Sequence, residues 1–267
     1  MRIVQALAVL VILVGGGLAV AAALVFDDEV DKLATPKRPE QFYGPVRGTA
    51  RWTGVLGVAH NAGDTVTAAR RAIAYGADVL EIDVVAVGGK LRAFHDRPLP
   101  FGTRAARGPA LLWVWDAAPA RVAIELDLKQ SGPLRLAPLF DFLRRHRDRD
   151  VIVASRSPES LRAFRRHAPW VLRFLSVRSK LQLERLRWDA ELRRALDGVS
   201  VREALLAAER VRWLHDQGLL VLAWVVDDPA RVDDLTGYGV DAIATDNLAI
   251  ITILGRGRRS GARVASS

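Results

Sequence analysis

Between residues 51 and 254 the chain alternates, unit after unit, between short apolar β-branched runs and amphipathic stretches, and nothing else in the sequence restricts its fold so tightly. Segments 55–60, 79–87, 122–129, 151–155, 171–177, 198–201, 219–226 and 242–246 read as strands. Between most of them lie helical patterns, such as 66–75, 158–167, 203–217 and 229–238. Regular strand–helix alternation implies a parallel sheet covered by helices. Eight such units in about 200 residues fit a small α/β protein of the (β/α)8 TIM-barrel type. An open doubly wound sheet is the alternative, but no glycine-rich dinucleotide loop follows any early strand. One interruption is informative: Gly88-Gly89 separates two alternating runs, 83–87 and 90–95. That is a hairpin signal, and folding there brings His95 within about one residue of Asp83.

In such a barrel one face of every strand is enclosed, and burying carboxylates there is expensive unless a cation or a reaction offsets it. Residues two apart on a strand share a face, so Glu81 and Asp83 project together, as do Glu125, Asp127 and Lys129. His60, Glu81, Asp83, Asp127, Lys129, Trp224 and Asp246 all fall at or near the carboxyl ends of expected strands, where barrel sites assemble. Glu81, Asp83 and Asp127 suit a hard divalent cation, Mg²⁺ or Ca²⁺, held by carboxylate oxygens and water. Glu125 is an alternative third ligand, and salt-bridged barrel carboxylates are the plain alternative to any metal. His60 and His95 are candidates for general base and general acid, because imidazole titrates near neutral pH. Lys129 suits a phosphate oxygen, or else pairs with Glu125. Trp224 either walls the alcohol side of a pocket or packs in the core.

The 267-residue chain has no cysteine, so any metal must use oxygen or imidazole ligands. Its formal charge of +9 favours anionic partners. No aromatic-interleaved basic array or zinc-finger spacing appears, so phosphate-bearing substrates and lipid headgroups rank above nucleic acid. No feature points to a protein partner. Residues 3–26 carry no charged side chain, a run long enough to span about 30 Å of hydrocarbon. Arg2 precedes it and Asp27-Asp28 follow. The expectation is a single-pass anchor over 1–26 with the rest outside the cytoplasm; a cleaved signal peptide and a secreted product is the alternative. Residues 27–50, with Pro36, Pro39 and Pro45, read as a linker, 51–254 as the barrel, and 255–267 as a disordered basic tail.

The segment AHNAGDTVTAARRAIAYGADVLEIDVVAVGGKLRAFHD resembles the opening of the glycerophosphodiester phosphodiesterase family, with its Glu-x-Asp-Val strand and its hairpin ending in His-Asp. GPALLWVWDAA, ELDLK, VIVASRSPESLRAFRRHAP, LAWVVDD and GVDAIATD resemble later blocks of the family, in family order over roughly residues 55–250. The resemblance implies a divalent cation on Glu81, Asp83 and Asp127, acid–base roles for His60 and His95, and phosphate binding by Lys129. It also implies attack of a neighbouring substrate hydroxyl on phosphorus, with a cyclic phosphate that water opens.

Two positions depart from the family pattern. Asn61 stands where the family has a phosphate-contacting arginine, and Gly63 where it has a glutamate. The stretch from His95 to Asp127 is also too short for the family's inserted subdomain, which implies a more open pocket. Arg104 and Arg107 are candidates to restore the missing charge. The short loop after His60 is similar to that of sphingomyelinase D-type phospholipases. Three readings follow. The first is a phosphodiesterase acting on glycerophosphodiesters or related phospholipid-derived phosphodiesters. The second is a ring-forming lyase acting on lipid headgroups. The third is an inactive barrel that binds lipid or envelope anions.

Overall fold

The computed structural model describes residues 54–95 and 108–254. The expected anchor, linker and basic tail lie outside the described residues, as do Arg104 and Arg107. Among the described residues, no helix is long and apolar enough to cross a membrane.

The described residues form nine strands in one sheet: β1 (Leu56–Ala59), β2 (Val79–Val87), β3 (Lys90–Ala93), β4 (Ala123–Leu128), β5 (Val151–Ser155), β6 (Leu172–Val177), β7 (Gly198–Arg202), β8 (Leu220–Trp224) and β9 (Ala242–Thr245). Eight of them are parallel, and β1 pairs with both β2 and β9, so the sheet closes into a (β/α)8 barrel. β3 hangs on β2 as an antiparallel hairpin, with Val84 opposite Ala93 and Val87 opposite Lys90. Gly88 and Gly89 both take positive φ, at 56° and 73°, as the favoured two-residue hairpin turn requires.

Eight helices of more than one turn connect the strands: α1 (Val66–Ala74), α2 (Leu111–Ala117), α3 (Pro133–Arg145), α4 (Pro158–His167), α5 (Lys180–Trp188), α6 (Ala190–Arg194), α7 (Ala208–Asp216) and α8 (Pro229–Tyr238). A further helical segment runs over 248–254. Their starts are chemically marked. The side chains of Thr65, Ser157 and Asp228 accept backbone N–H groups at the heads of α1, α4 and α8, and Ser179 with Gln182 forms a capping box on α5. Pro158 and Pro229 sit at the first helical positions, where the missing N–H is harmless.

The expected helix over 203–217 is instead two pieces, a 3-10 turn Glu203–Leu205 and then α7. Ala207 is extended between them, at φ −142° and ψ 161°, and Arg231 packs against the break. Its guanidinium donates to the Glu203 and Leu206 carbonyls at 2.6 and 3.0 Å and to Glu203 Oε2 at 2.6 Å.

Strand alternation divides the apolar side chains into two layers. Val58, Val79, Ile152, Ala154, Phe174, Leu222, Ala242 and Ala244 fill the barrel interior, with Leu56, Ala123 and Trp224 against them. The opposite faces, including Leu80, Ile82, Ile124, Leu126, Val153 and Val221, pack under the helices in the larger core. Each fully buried aliphatic side chain there contributes about 1.5–3 kcal/mol. Inward parity has a further consequence. The residues that follow Val79 and Ala123 at steps of two are Glu81, Asp83, Glu125, Asp127 and Lys129, and all of them enter the barrel.

Candidate active site

β2 and β4 lie side by side with Glu81 opposite Glu125 and Asp83 opposite Asp127. Two ranks of acids are thereby stacked toward the carboxyl end of the barrel. Glu81, Asp83 and Glu125 are 5%, 0% and 3% exposed. One oxygen from each of Glu81, Asp83 and Asp127 falls within 4.8 Å of the others. These are the three residues expected from sequence, and among the described residues they are the group suited to a metal. The donor set is all oxygen, which fits a hard cation and not a soft one. Asp83 is flanked by cationic or ionisable nitrogens, with Lys129 Nζ 2.6 Å from Oδ1 and His95 Nε2 3.8 Å from Oδ2.

Lys129, one residue past β4, also reaches Asp127 Oδ2 at 2.6 Å. Its partners are therefore Asp83 and Asp127, and the alternative pairing with Glu125 does not occur. Burial opposes its charge, but Asp127, Asp83 and Glu81 outweigh that and hold its pKa above the ordinary value. The acids respond in the opposite sense. Burial, then the charge of Asp83, raises the Glu81 pKa well above the usual carboxylate range. Burial, then Asp127, pushes Glu125 to about 8. This cluster carries more negative charge than one ammonium can balance, and protons or a further cation would relieve it.

His60 follows β1 and is anchored by its N–H to the Thr245 carbonyl at 3.1 Å. Its Nδ1 lies 3.1 Å from Asp246 Oδ1. A carboxylate can only accept, so Nδ1 carries the proton and Nε2 keeps its lone pair. Burial of the ring disfavours protonation. The hydrogen bond and charge of Asp246, with Asp83 behind, overcome it and raise the His60 pKa. Asp246 is held in turn by Asp227, whose Oδ1 accepts from Thr245 Oγ1 at 2.8 Å and from the Asp246 N–H at 2.9 Å. His95, two residues beyond β3, is half-exposed, with Nε2 3.8 Å from Asp83 Oδ2.

The turn between β1 and α1 binds the cluster together. Asn61 adopts left-handed backbone geometry, φ 51°, a conformation Asn tolerates better than most residues. Its N–H donates to Glu81 Oε2, 2.5 Å away, and its side-chain amide packs against the His60 ring. Gly63 is sterically required, since a Cβ there would sit 2.1 Å from Ile82 Cγ1 and 2.7 Å from the Glu81 carbonyl oxygen. The glutamate of the family pattern has no room on this backbone. Asp64, which the sequence reading passed over, accepts the Asp83 N–H at 3.1 Å. Burial, then the charge of Asp83, raises its pKa to about 7. The available signal was its position directly ahead of Thr65, the cap of α1.

Trp224 ends β8 on the inward face, half-buried against the interior layer, with the Arg178 guanidinium 5.3 Å from its ring centroid. Thus His60, Asn61, Glu81, Asp83, His95, Asp127, Lys129 and Trp224 all stand at the carboxyl end of the barrel.

Similar architectures occur in solved structures. A phosphodiesterase of Oleispira antarctica, in complex with the product sn-glycerol-3-phosphate, superposes with a TM-score of 0.58 at 19% identity, over 74% of this chain and 96% of that one. A glycerophosphodiester phosphodiesterase of Parabacteroides distasonis gives 0.58 at 18%, over 80% and 99%. A calcium-dependent phosphoinositol-specific phospholipase C of a Pseudomonas species gives 0.51 at 10%, over 74% and 91%. At these identities the likeness is one of fold. A search of curated proteins finds no match. The family model described as glycerophosphoryl diester phosphodiesterase matches residues 115–250, just over half of the chain. That span contains Asp127, Lys129, Trp224 and Asp246 and stops short of the acids of β2. The chain belongs to the glycerophosphoryl diester phosphodiesterase family.

Proposed function

We propose that the protein is a metal-dependent phosphodiesterase acting on glycerophosphodiesters or related phospholipid-derived phosphodiesters. The observation that carries this reading is the convergence of Glu81, Asp83 and Asp127 within 4.8 Å, inside a barrel, beside one lysine and flanked by two imidazoles.

Glu81, Asp83 and Asp127 would hold a Mg²⁺ or Ca²⁺ ion. When bound, such an ion supplies positive charge to phosphoryl oxygens as negative charge builds on them. Lys129 stands against the same carboxylates and adds a compact cation for a phosphoryl oxygen. His60, held by Asp246, presents Nε2 as proton acceptor for the attacking hydroxyl of the glyceryl group. His95, reachable from solvent at the rim, donates a proton to the departing alcohol oxygen. The two rings exchange roles when water opens the cyclic phosphate. The Asn61 amide, against the His60 ring, serves as a neutral contact where relatives carry arginine. Trp224 bounds the alcohol side.

The test is turnover by the purified full chain. Substrates are glycerophosphocholine, a lysophospholipid and a generic aryl phosphodiester, each with Mg²⁺, with Ca²⁺ and with chelator. Metal-dependent release of glycerol phosphate supports the reading, and no turnover under any condition overturns it. The small separation of His95 from Asp127, which leaves no room for an inserted subdomain, favours a second reading, ring-forming cleavage of intact lipid, for which a cyclic lipid phosphate is the diagnostic product. The uncharged run 3–26 supports placing the barrel outside the cytoplasm on a membrane anchor.

A further inference from the structure

Two serines across the barrel from the acids take no part in the chemistry above. Ser176 lies on β6 and Ser200 on β7, and the register pairs them directly. Alternation points both inward. Phe174, two residues before Ser176, belongs to the interior layer. Leu222, the partner of Ser200 on β8, belongs to it as well. The two serines are 8% and 5% exposed, and among the described residues neither hydroxyl has a hydrogen-bond partner.

Register places them relative to the acids. Asp127 pairs with Ala154, Ala154 with Phe174, Phe174 with Gly198 and Gly198 with Leu220. Farther round, Leu222 pairs with Ala242, and Ala242 with Leu56. Strands in such a barrel tilt, so that level residues advance by about one position at each strand, and a layer draws its side chains from alternate strands. His60, Asp127, Ser176 and Trp224 therefore share one layer, and Glu81, Ala154, Ser200 and Ala244 share the layer beneath it. β6 faces β1 across the barrel and β7 faces β2. Ser176 thus stands opposite His60, and Ser200 opposite Glu81.

Packing alone does not call for serine at these places. Ala154 and Ala244 fill the layer of Ser200 with methyl groups, and an enclosed hydroxyl without a partner is costly where alanine is not. The attacking and departing oxygens lie roughly in line through phosphorus. With His60 at the attacking hydroxyl, the departing alcohol points toward β6 and β7.

We infer that Ser176 and Ser200 line a subsite for the departing alcohol, and that this alcohol is a polyol such as glycerol or inositol. This rests on the phosphodiesterase reading above. A serine hydroxyl both donates and accepts, so a pair of them matches neighbouring hydroxyls of a polyol, while Trp224 gives an apolar wall to its carbon skeleton. A quaternary ammonium offers serine neither donor nor acceptor and would leave both hydroxyls unpaired. The indole, which would otherwise attract such a cation, already carries the Arg178 guanidinium 5.3 Å from its centroid.

The full chain is assayed on glycerophosphoglycerol and on glycerophosphocholine, with Mg²⁺ and with Ca²⁺. Both diesters are also titrated by calorimetry into H60Q, which lacks the proposed base, and into H60Q/S176A/S200A. The expected result is a kcat/KM about tenfold or more in favour of glycerophosphoglycerol, carried mainly by KM, and tighter binding by a similar factor. Removing both hydroxyls should bring both ratios toward unity, and S176A or S200A alone should lose part of the preference. A merely structural loss would depress both substrates together and leave the ratio unmoved. Turnover without a preference for glycerophosphoglycerol, or a preference that survives S176A/S200A, overturns the subsite and leaves the phosphodiesterase reading standing. No turnover of either diester, with a binding preference that needs the serines, removes the phosphodiesterase reading and supports the subsite. No turnover and no such preference removes both.

Discussion

Asp246 Oδ1 lies 3.1 Å from His60 Nδ1, so an acid from the last strand orients an imidazole from the first. Asp246→Asn removes the charge that raises the His60 pKa against burial. The acidic limb of the kcat/KM profile should move to lower pH, and kcat should fall by about 10²-fold through loss of the productive tautomer. A pH–rate series on the aryl phosphodiester reads both effects; an unmoved acidic limb removes His60 as the base.

Glu81→Gln keeps the side chain's shape and its acceptor for the Asn61 N–H while removing one charge from the cation site. Activity should fall by about 10²-fold or more. Thermal melting gives a second readout. Saturating Mg²⁺ or Ca²⁺ should raise the native Tm by mass action and leave the variant nearly unchanged. Equal metal-induced shifts in the two proteins would rule Glu81 out as a ligand.

Glu125 has a folded-state pKa raised to about 8, chiefly by burial. Its unfolded value lies near 4.5, so between these limits the folded state binds more protons than the unfolded one. Stability from this group is full below the lower value and is lost as pH rises through the upper. Glu125→Gln escapes that loss. In chelator, the variant should gain on the native chain as pH goes from 5 to 9, by on the order of a few kcal/mol. Urea unfolding at several pH values checks it, and parallel curves would refute it.

Gly63→Ala forces a methyl group onto Ile82 and the Glu81 backbone. Destabilisation of about 1–3 kcal/mol is expected from overpacking. Activity should suffer beyond that, because the same turn carries Asn61 and Asp64 against Glu81 and Asp83. Denaturation midpoints together with kcat separate the two effects.

Much of this arrangement was legible in the sequence because alternation is a strong signal when every strand has an enclosed face. The spans of β2, β5, α4 and α8 coincide with the expected ones, since β-branched runs and Ser-Pro or Asp-Pro starts mark their limits. The hairpin placed His95 beside Asp83 because a two-residue glycine turn fixes register. Long-range side-chain contacts were not legible. Arg231 reaches back to Glu203 across the α7 connection, where the helix that local propensity favours is interrupted. Asp64 joins the carboxylates only through a backbone hydrogen bond to β2, and no spacing rule encodes that contact.

β1 is stitched to β9, and this has a consequence for synthesis. The His60 ring meets Asp246 only after the last strand of the barrel has been made. A fragment ending before residue 242 lacks both the final stave and Asp246, the partner of His60. In such a fragment β1 has no partner on its β9 side and the barrel cannot close.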